Sequence, residues 1–324
     1  MARALITGAT GQDGTLLSRH LIECGDTAIG LLNSKRSINE HPNHPYIREW
    51  KTVDFTNSIE ISTLIQECSI DVIYNLAGFS SVSASYRDPI DCFEINTTFV
   101  LTLVKSLVHI PVEFRPKLFQ ASSSEMYGVN ELRIVNESSP MNPISPYALS
   151  KFTSHKFLSN MREALGLRTS SAILFNHESH LRPTHFVSKR IISGLVDVFE
   201  NKREFIEIHN PNVERDWGSA NEYVKAMRLI AMSNHNDDFI VASGECNSIK
   251  RFIEIALNKL SISRSFEEVV RVKKESDRPL DHRGVAGDSS KIQKVLGWTT
   301  NSNFETLVEE LVQSELSLRS KHAW

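Results

Sequence analysis

Three glycines that follow a short apolar strand restrict the fold of this chain more than any other segment does. Residues 4–6 are predicted to form the strand, and the glycines come directly after it and open a helix. Glycine lets the backbone turn tightly and approach a pyrophosphate, while the helix N terminus adds partial positive charge. This context favours a dinucleotide-binding turn over a plain glycine-rich turn. The predicted cofactor contacts in the turn are Gly8, Thr10, Gly11, Gln12, Asp13 and Gly14.

The first half of the chain alternates short apolar segments with longer amphipathic ones, which is typical of alternating strands and helices. The predicted strands are residues 4–6, 27–32, 72–75 and 117–121. The predicted helices are residues 14–24, 59–66, 89–107 and 146–164. Such alternation requires a parallel sheet that is covered on both faces and joined by right-handed crossovers. The sequence therefore predicts a doubly wound, Rossmann-type α/β sheet.

The second half is less regular, with loops rich in Asn, Pro and charged residues between its predicted elements. These elements are helices at residues 186–199, 249–260, 289–296 and 304–318, a strand at 205–209 and another sheet strand at 238–242. We expect a smaller C-terminal α/β lobe that binds the substrate and is interleaved with the sheet domain. The predicted dinucleotide-binding domain is residues 1–175 with about 218–243, and the predicted substrate lobe is residues 176–217 and 244–324.

Composition narrows the classes of partner. The 324 residues include 36 basic and 39 acidic side chains, for a formal net charge of −3. Like charges form no block, so binding to nucleic acid or to a membrane is not expected. The four cysteines are far apart and no histidine tract has zinc spacing, so neither a metal site nor a disulfide framework is expected. Without a signal peptide or an apolar run of about 18 residues, the expected location is the cytoplasm.

The end of the second predicted strand bears on the choice of cofactor. An acidic residue there would bind the ribose 2′-hydroxyl of NAD, whereas basic residues suit the 2′-phosphate of NADP. Residues 33–36 contain Lys35 and Arg36 and no acid, which favours NADP over NAD, with a solvated surface turn as the alternative. Further predicted cofactor contacts after later strands are Asp54, Leu76 and Ala77.

Tyr147 and Lys151 are four residues apart on a predicted helix and therefore share one face. A free tyrosine titrates near about 10, and a nearby ammonium and an oxidised nicotinamide both favour the phenolate. The spacing alone is common on surface helices. Together with the glycine turn, it makes Tyr147 a candidate base or acid for alcohol–carbonyl interconversion and Lys151 a candidate ligand of the nicotinamide ribose.

Ser123 and Glu125 directly follow the fourth predicted strand, at the edge of the sheet where ligands bind in such folds. The hydroxyl can hydrogen-bond a sugar alcohol that is being oxidised. The carboxyl can remove a proton beside a carbonyl and protonate a leaving hydroxyl, which simple reductases do not need. The alternative is a serine-rich turn with an N-capping hydroxyl and a surface acid.

These segments together resemble a known family, the GDP-mannose 4,6-dehydratases among the extended short-chain dehydrogenase/reductase enzymes, nearly end to end. In this chain Gly8, Gly11 and Gly14 have the G-x-x-G-x-x-G spacing, which is the form that short-chain dehydrogenases use. The segments that carry the resemblance are ITGATGQDG (6–14), ASSSEMYG (121–128), SPYALSK (145–151), LFNHES (174–179), RDWG (215–218), RP (278–279) and LGW (296–298). The FNHES and RDWG segments discriminate best, because epimerase-like relatives share the glycine and Tyr-Lys motifs but not usually those.

The resemblance implies a reaction in which hydride passes from C4 of a GDP-hexose to NADP⁺ while Tyr147 removes the hydroxyl proton and Ser123 bonds the same oxygen. Glu125 would then remove the C5 proton and assist loss of the C6 hydroxyl as water, before hydride returns to C6. His177 would line the cofactor. The residues that the resemblance assigns to the substrate are Ser81, Asn176, Lys189, Arg215 and Arg278. A homodimer or homotetramer is also expected.

Several positions depart from the family pattern. Ser123 stands where the family usually has Thr, and its paired arginines after the second strand are replaced by Asn33 and Ser34, with Lys35 and Arg36 displaced. Residues 180–185 also differ, so the substrate could be a GDP-heptose or a GDP-N-acetylhexosamine. Two alternatives to a 4,6-dehydratase remain open. One is a nucleotide-sugar epimerase, dehydrogenase or decarboxylase on the same scaffold, and the other is a non-catalytic NADP-binding regulator.

Overall fold

A parallel sheet of seven strands lies at the centre of the structure, a computed structural model that describes residues 1–35, 43–273 and 284–321. Its strands are β1 (Arg3–Thr7), β2 (Thr27–Asn33), β3 (Glu49–Val53), β4 (Val72–Asn75), β5 (Lys117–Ser123), β7 (Thr169–Leu174) and β11 (Asp238–Val241). Across the sheet the order is β3-β2-β1-β4-β5-β7-β11. The direction of progression reverses between β1 and β4, which in such folds opens a ligand crevice beyond the strand ends. The predicted doubly wound fold is confirmed.

The other described strands form smaller sheets. They are β6 (Ile134–Val135), β8 (Asn176–Glu178), β9 (Ile206–Ile208), β10 (Glu214–Ser219), β12 (Cys246–Ser248), β13 (Val270–Val272) and β14 (Ala286–Gly287). Strands β12, β10 and β8 make one sheet, while β13 pairs with β9 and β14 with β6. Because β8 follows β7 after a single residue, this second sheet is held close to the carboxyl edge of the central one.

Helices cover both faces of the central sheet and build most of the second half. They are α1 (Gln12–Glu23), α2 (Ser58–Glu67), α3 (Val82–Ser85), α4 (Pro89–Phe93), α5 (Phe99–His109), α6 (Pro146–Leu165), α7 (Val187–Phe199), α8 (Ala220–Met232), α9 (Ile249–Lys259), α10 (Phe266–Val269), α11 (Ser290–Leu296) and α12 (Phe304–Lys321). The Ser145 side chain accepts a hydrogen bond from the Ala148 amide, and Gly166 ends α6 with a φ of 62°. Serine as N-cap, proline at the first position and glycine after the last are the residues that helix ends favour.

Two parts of the sequence interpretation were wrong in detail. The helix predicted at 89–107 is divided into α4, a π-helix at Glu94–Thr98 and α5. The wider turn directs Asn96 of the π-helix toward the Phe79 backbone, a contact between distant segments that apolar periodicity does not reveal. The stretch predicted as loops between 209 and 238 contains β10 and α8. Helix α8 buries Val224, Met227 and Ile230, at the spacing of one helical face.

The buried apolar residues form separate clusters. On one face of the central sheet α1 and α8 pack together, and on the other face α2 and α5 pack on the strands. A further cluster lies in the second half, where Leu195 of α7, Phe252 of α9 and Val308 of α12 meet. Among the residues that the structure describes, no helix combines the length and the apolar character needed to cross a bilayer.

Candidate active site

A cavity of about 290 Å³ opens at the carboxyl ends of β4, β5 and β7 and is bounded on its far side by β8, β10 and the start of α7. It lies at the edge of the sheet where ligands bind in doubly wound folds. The predicted site residues that line it are Asp13, Leu76, Ser81, Ser123, Glu125, Tyr147, Lys151, Asn176, His177 and Arg215. Segments that are far apart in the chain therefore meet around one space.

Glycine is required at two positions of the predicted dinucleotide turn. A Cβ on Gly8, which has a φ of 66°, would lie 2.7 Å from the Ala77 amide nitrogen after β4. A Cβ on Gly14 would lie 2.3 Å from the Gly8 carbonyl oxygen, so any side chain there would push α1 off the turn. At these two positions the chain is packed too closely for a side chain, and the turn leads directly into the N terminus of α1, whose amides suit an anion.

A buried row of polar side chains supports the strand ends beneath the cavity. The Thr7 hydroxyl donates to the Asn75 side chain at 2.7 Å, and Asn75 donates to the Gln120 side-chain oxygen at 2.7 Å. The Ala77 amide in turn donates to the Thr7 hydroxyl at 3.0 Å. These bonds join β1, β4 and β5 and fix the course of the chain through Leu76 and Ala77, as buried polar groups with satisfied partners do.

Ser123, Glu125 and Tyr147 converge on one side of the cavity. Strand β5 ends at Ser123, and a 3₁₀ turn over Ser124–Tyr127 brings Glu125 to the cavity wall. The Ser123 hydroxyl accepts a hydrogen bond from the Glu125 amide at 3.2 Å and is hydrogen-bonded to the Tyr147 phenol. A hydroxyl, a phenol and a carboxyl thus share one space.

The two ionisable groups of α6 are both shifted by burial. Burial raises the pKa of Tyr147 to about 12, although the hydrogen bond from Ser123 and the nearby Arg182 act in the opposite direction. Burial lowers the pKa of Lys151 to about 8, and its ammonium donates to the Ala121 carbonyl at 2.9 Å. Without a ligand the phenol is therefore protonated at neutral pH, and any use of it as a base needs added positive charge.

Asn96 is a residue of the site region that the sequence interpretation missed. Its side chain accepts from the Phe79 amide at 2.9 Å and donates to the Phe79 carbonyl at 3.1 Å and to the Ser150 hydroxyl at 3.0 Å. It therefore fastens the loop after β4 to the helix that carries Tyr147 and Lys151. The signal for it is the π-helix, since such widened turns are frequent at functional sites.

The cavity also receives two arginines that the sequence interpretation did not select. Arg182 lies with its guanidinium carbon 3.7 Å from the centre of the Phe186 ring, and its Nε is 3.1 Å from the buried Glu178 carboxylate. Arg190 lines the cavity from α7. Arg182 belongs to the segment after β8 that departs from the family pattern, and a cation held by a carboxylate and a ring is well placed to bind an anion.

Other predicted residues lie away from the cavity. The Lys189 ammonium is 2.7 Å from the Glu315 carboxylate of α12 and does not line the cavity. Lys35 pairs with Asp54 at 2.9 Å, and hydrogen bonds from Thr56 together with this lysine lower the pKa of Asp54 to about 2. Arg36 and Arg278 lie outside the described residues.

Within the described ranges, no group of three or more His, Cys, Asp or Glu side chains is arranged to hold a metal ion. The four cysteines are all free thiols, and Cys68 and Cys92 are buried.

The glycine turn, the switch in strand order and the Tyr-Lys pair on α6 define the fold of an extended short-chain dehydrogenase/reductase protein. The dTDP-glucose 4,6-dehydratase DesIV from Streptomyces venezuelae, solved with NAD and TYD bound, has this fold. It superposes on the chain with a TM-score of 0.83 at 19% identity, covering 98% of each chain.

Sequence comparison is more specific than the fold. The family model described as GDP-mannose 4,6 dehydratase matches residues 5–311. GDP-mannose 4,6 dehydratase 2 of Arabidopsis thaliana is 32% identical over 98% of this chain and 88% of its own length. GDP-mannose 4,6-dehydratase sdnI of Sordaria araneosa is 32% identical over 97% of this chain, which spans 61% of that longer relative. The chain belongs to the GDP-mannose 4,6-dehydratase family, and the predicted resemblance is confirmed.

Proposed function

We propose that this chain is an NADP-dependent 4,6-dehydratase that converts GDP-mannose, or a closely related GDP-hexose, to its GDP-4-keto-6-deoxy derivative. One observation carries the proposal: the Glu125 carboxyl lies in the same cavity as the hydrogen-bonded pair of Ser123 and Tyr147. Oxidation of an alcohol needs the phenol and the hydroxyl. Elimination of water also needs an acid/base group beside them, and Glu125 fills that role.

Tyr147 is the base for the first step. It takes the proton of the C4 hydroxyl, whose oxygen also accepts a hydrogen bond from Ser123. A nicotinamide held at the turn of Gly8 to Gly14 would supply the hydride acceptor for C4 and the hydride donor for C6. Tyr147 would pass the proton that it took from the C4 hydroxyl to C5 as C6 is reduced, so that proton and hydride are both returned. Because burial holds the pKa of Tyr147 at about 12, the phenol gives up its proton only when cations stabilise the phenolate. Arg182 already lowers that pKa, and Lys151 adds an ammonium on the same helical face.

Glu125 is the acid and base of the second step. Once C4 is a ketone, the C5 hydrogen is acidic, and the carboxylate removes it. The same carboxyl then delivers a proton to the departing C6 hydroxyl, so that water leaves and the group is ready for the next cycle. The unsaturated intermediate has to stay enclosed until C6 is reduced, and the placement of β8, β10 and α7 across the cavity from β5 suits this requirement.

The dinucleotide fits the turn of Gly8 to Gly14, where two glycines allow close packing at the N terminus of α1. The preference for NADP rests on the absence of an acid at residues 33–36 and on the neighbouring basic residues. Lys35 would have to exchange Asp54 for the 2′-phosphate, which is a feasible exchange because the pair lies at the surface. Replacing Lys35 with Ala should therefore weaken NADP⁺ binding and leave NAD⁺ binding unchanged, as a direct titration of both cofactors would show.

For the GDP moiety we propose Arg190 and Arg215 as diphosphate ligands, since both line the cavity and a forked guanidinium suits phosphate oxygens. Ser81 and Asn176 also line the cavity and are proposed to bind the sugar. We place the dinucleotide in residues 1–175 with about 218–243, and the nucleotide sugar in residues 176–217 and 244–324. We also propose a cytoplasmic homodimer or homotetramer.

The test is to incubate the protein with NADP⁺ and GDP-mannose, a GDP-heptose or a GDP-N-acetylhexosamine, and to follow the sugar by mass spectrometry. Loss of one water supports the proposal. Oxidation with accumulation of NADPH would instead identify a dehydrogenase, a change of configuration at constant mass an epimerase, and tight binding without any product a regulator. Comparing the three GDP-sugars also identifies the preferred sugar, which residues 180–185 could change because they depart from the family pattern.

The assigned role of Glu125 has its own test. Glu125→Gln should still exchange the C4 hydrogen with the cofactor but should lose water at least about 100-fold more slowly, since general acid–base catalysis contributes that much. The matched control is Glu131→Gln, which removes an exposed carboxylate a few residues later and should react at the native rate. Full dehydratase activity of Glu125→Gln would show that the acid/base assignment is wrong.

A further inference from the structure

The dinucleotide turn contains a carboxylate, that of Asp13, at a helix N terminus, where anions usually bind. Asp13 lies in the first turn of α1, two residues after the N-cap Gly11, and it lines the cavity. The amides and the positive end of the helix dipole at such a position attract phosphate. An uncompensated carboxylate there would occupy part of that positive field and repel a dinucleotide diphosphate. Its charge therefore needs an explanation.

The His177 ring explains how a carboxylate can stand in the turn. Its Nε2 lies 2.9 Å from Oδ2 of Asp13, and its Nδ1 lies 2.7 Å from the Phe175 carbonyl oxygen. A carboxylate and a carbonyl only accept hydrogen bonds, so both ring nitrogens have to donate and the ring is an imidazolium. The ring is also stacked on Tyr223, with the centroids 4.9 Å apart and the planes at 26°. The cation is thus fixed on three sides.

Gln12 extends the contact between the turn and β8. Its side-chain nitrogen donates to Oδ1 of Asp13 and to the His177 carbonyl, each at 3.1 Å, and its oxygen accepts from the Ser179 hydroxyl at 2.9 Å. The side chains of Gln12 and Asp13 are therefore directed at β8 and the residue after it. Strand β8 begins with Asn176, which lines the cavity, so the dinucleotide turn and the sugar-facing strand are held together.

The charges around the pair agree with this geometry. Burial alone would lower the pKa of His177, but Asp13 outweighs it and raises the value above the usual one. Burial likewise opposes ionisation of Asp13, yet His177, Gln12 and Arg182 bring its pKa down to about 2. Arg182 acts against the imidazolium from the segment after β8. Asp13 also opposes the lowering by burial of the pKa of Lys151 on α6, and Tyr223 contributes its ring from α8.

We propose that His177 is a charge-neutralising and positioning residue: it cancels the Asp13 carboxylate inside the dinucleotide turn and joins that turn to strand β8. The inference rests on the proposed dinucleotide function of the turn and adds a reason for the acid and the histidine being there together. The pair has no net charge, so the amides of the turn keep their attraction for phosphate. The same ion pair sets the distance between the cofactor turn and Asn176.

The test is a double-mutant cycle read by NADP⁺ affinity, measured by calorimetry without any sugar. His177→Gln leaves Asp13 unpaired and should weaken binding by about 10- to 100-fold, the range expected for one like charge near the diphosphate. Asp13→Asn combined with His177→Gln removes both charges and should restore affinity to within about 5-fold of the native protein. If the double variant binds as weakly as His177→Gln, His177 acts by direct contact and the proposal fails.

The matched control is another acid and histidine on the same helix. His20 and Glu23 lie 3.9 Å apart in α1 but do not line the cavity. Glu23→Gln and His20→Gln should leave NADP⁺ affinity unchanged. A loss comparable to that of His177→Gln would show that the effect is a general one of charge on α1, and this also would contradict the proposal.

A second readout does not depend on the cofactor. In NMR titrations the His177 ring should hold its proton to a pH above the usual histidine range, and Asp13→Asn should lower its pKa below that range, because burial is then unopposed. An unchanged titration would refute the ion pair even if His177→Gln did not fold. If the native protein bound no dinucleotide while the ring titrated as expected, the proposed function would fail and the ion pair would stand.

Discussion

Lys189 and Arg190 are neighbours at the start of α7, but their cations lie in different surroundings. The Lys189 ammonium is 2.7 Å from Oε2 of Glu315, and the two side chains are only 15% and 9% exposed. Arg190 is exposed and lines the cavity. Replacing one residue at a time with Met should therefore separate the stability of the fold from the affinity for the nucleotide sugar.

Lys189→Met should lower the stability. It leaves Glu315 buried with Arg319 as a remaining partner, whose Nε is 3.1 Å from Oε1 of Glu315. Breaking a buried pair costs about 3–5 kcal/mol when the remaining charge has no partner, so with Arg319 in place we expect about 2–3 kcal/mol. At about 2–4 °C per kcal/mol for a large domain, the melting midpoint should fall by about 4–12 °C. The Michaelis constant for the GDP-sugar should stay within about 2-fold of the native value.

The stability that the Lys189–Glu315 pair contributes should depend on pH in a definite direction. Burial tends to raise the pKa of Glu315, but Lys189 and Arg319 outweigh it and hold the pKa below its usual range. A carboxyl whose pKa is depressed in the folded state contributes stability above its unfolded pKa and loses it as the pH falls through the folded value. The difference in melting midpoint between the native protein and Lys189→Met should therefore be full at neutral pH and shrink in the acid range.

Arg190→Met should do the opposite. Loss of a charge-assisted hydrogen bond to a diphosphate should raise the Michaelis constant about 10- to 100-fold, and the melting midpoint should change by less than about 1 °C. Thermal melts and steady-state kinetics on both variants decide the matter, with Lys189→Arg as the control that keeps the charge. A Lys189→Met protein with a native midpoint and a 10-fold higher Michaelis constant would refute the reasoning and make Lys189 the substrate ligand that the sequence predicted.

Three further outcomes are expected. Gly14→Ala should abolish dinucleotide binding in a direct titration, because its Cβ would lie 2.3 Å from the Gly8 carbonyl oxygen. Activity should decline above about pH 8 as Lys151, whose pKa burial lowers to about 8, loses its proton, and Lys151→Arg should move that decline to higher pH. Asp216 accepts hydrogen bonds from the Ser243 amide and hydroxyl and from two glycine amides, so Asp216→Asn should cost about 2–4 kcal/mol in urea unfolding.

The features that the sequence predicted depend on residues close together in the chain. The strands at the start of the sheet, the turn of Gly8 to Gly14 and the pairing of Tyr147 with Lys151 all follow from local periodicity or spacing. Ser123 and Glu125 could be placed because parallel strands end at the same edge of a sheet. Each of these inferences needs only the pattern of a few neighbouring residues and one rule about the fold.

The features that the sequence did not predict depend on a distant partner. Lys189 and Arg190 have the same charge and adjacent positions, but the Lys189 ammonium pairs with Glu315, 126 residues away, while Arg190 lines the cavity. The sequence predicts Asp13 as a cofactor contact and gives no sign that its side chain pairs with His177, 164 residues away. Spacing within one helix fixes a face of that helix, and it cannot tell which of two neighbouring cations another helix will bind.

Strand β5 shows how local and distant determinants combine at the site. Successive side chains of a strand point to opposite faces, so Ser122 and Ser123 are directed to different sides of β5. The Ser122 hydroxyl lies 3.3 Å from Nδ1 of His155, whose Nε2 lies 3.7 Å from the Asp238 carboxylate of β11. His155 is on the same face of α6 as Tyr147, eight residues further on. The helix that brings the phenol to Ser123 is therefore also attached to the preceding serine, and this second contact restrains the distance between the Ser123 hydroxyl and the Tyr147 phenol.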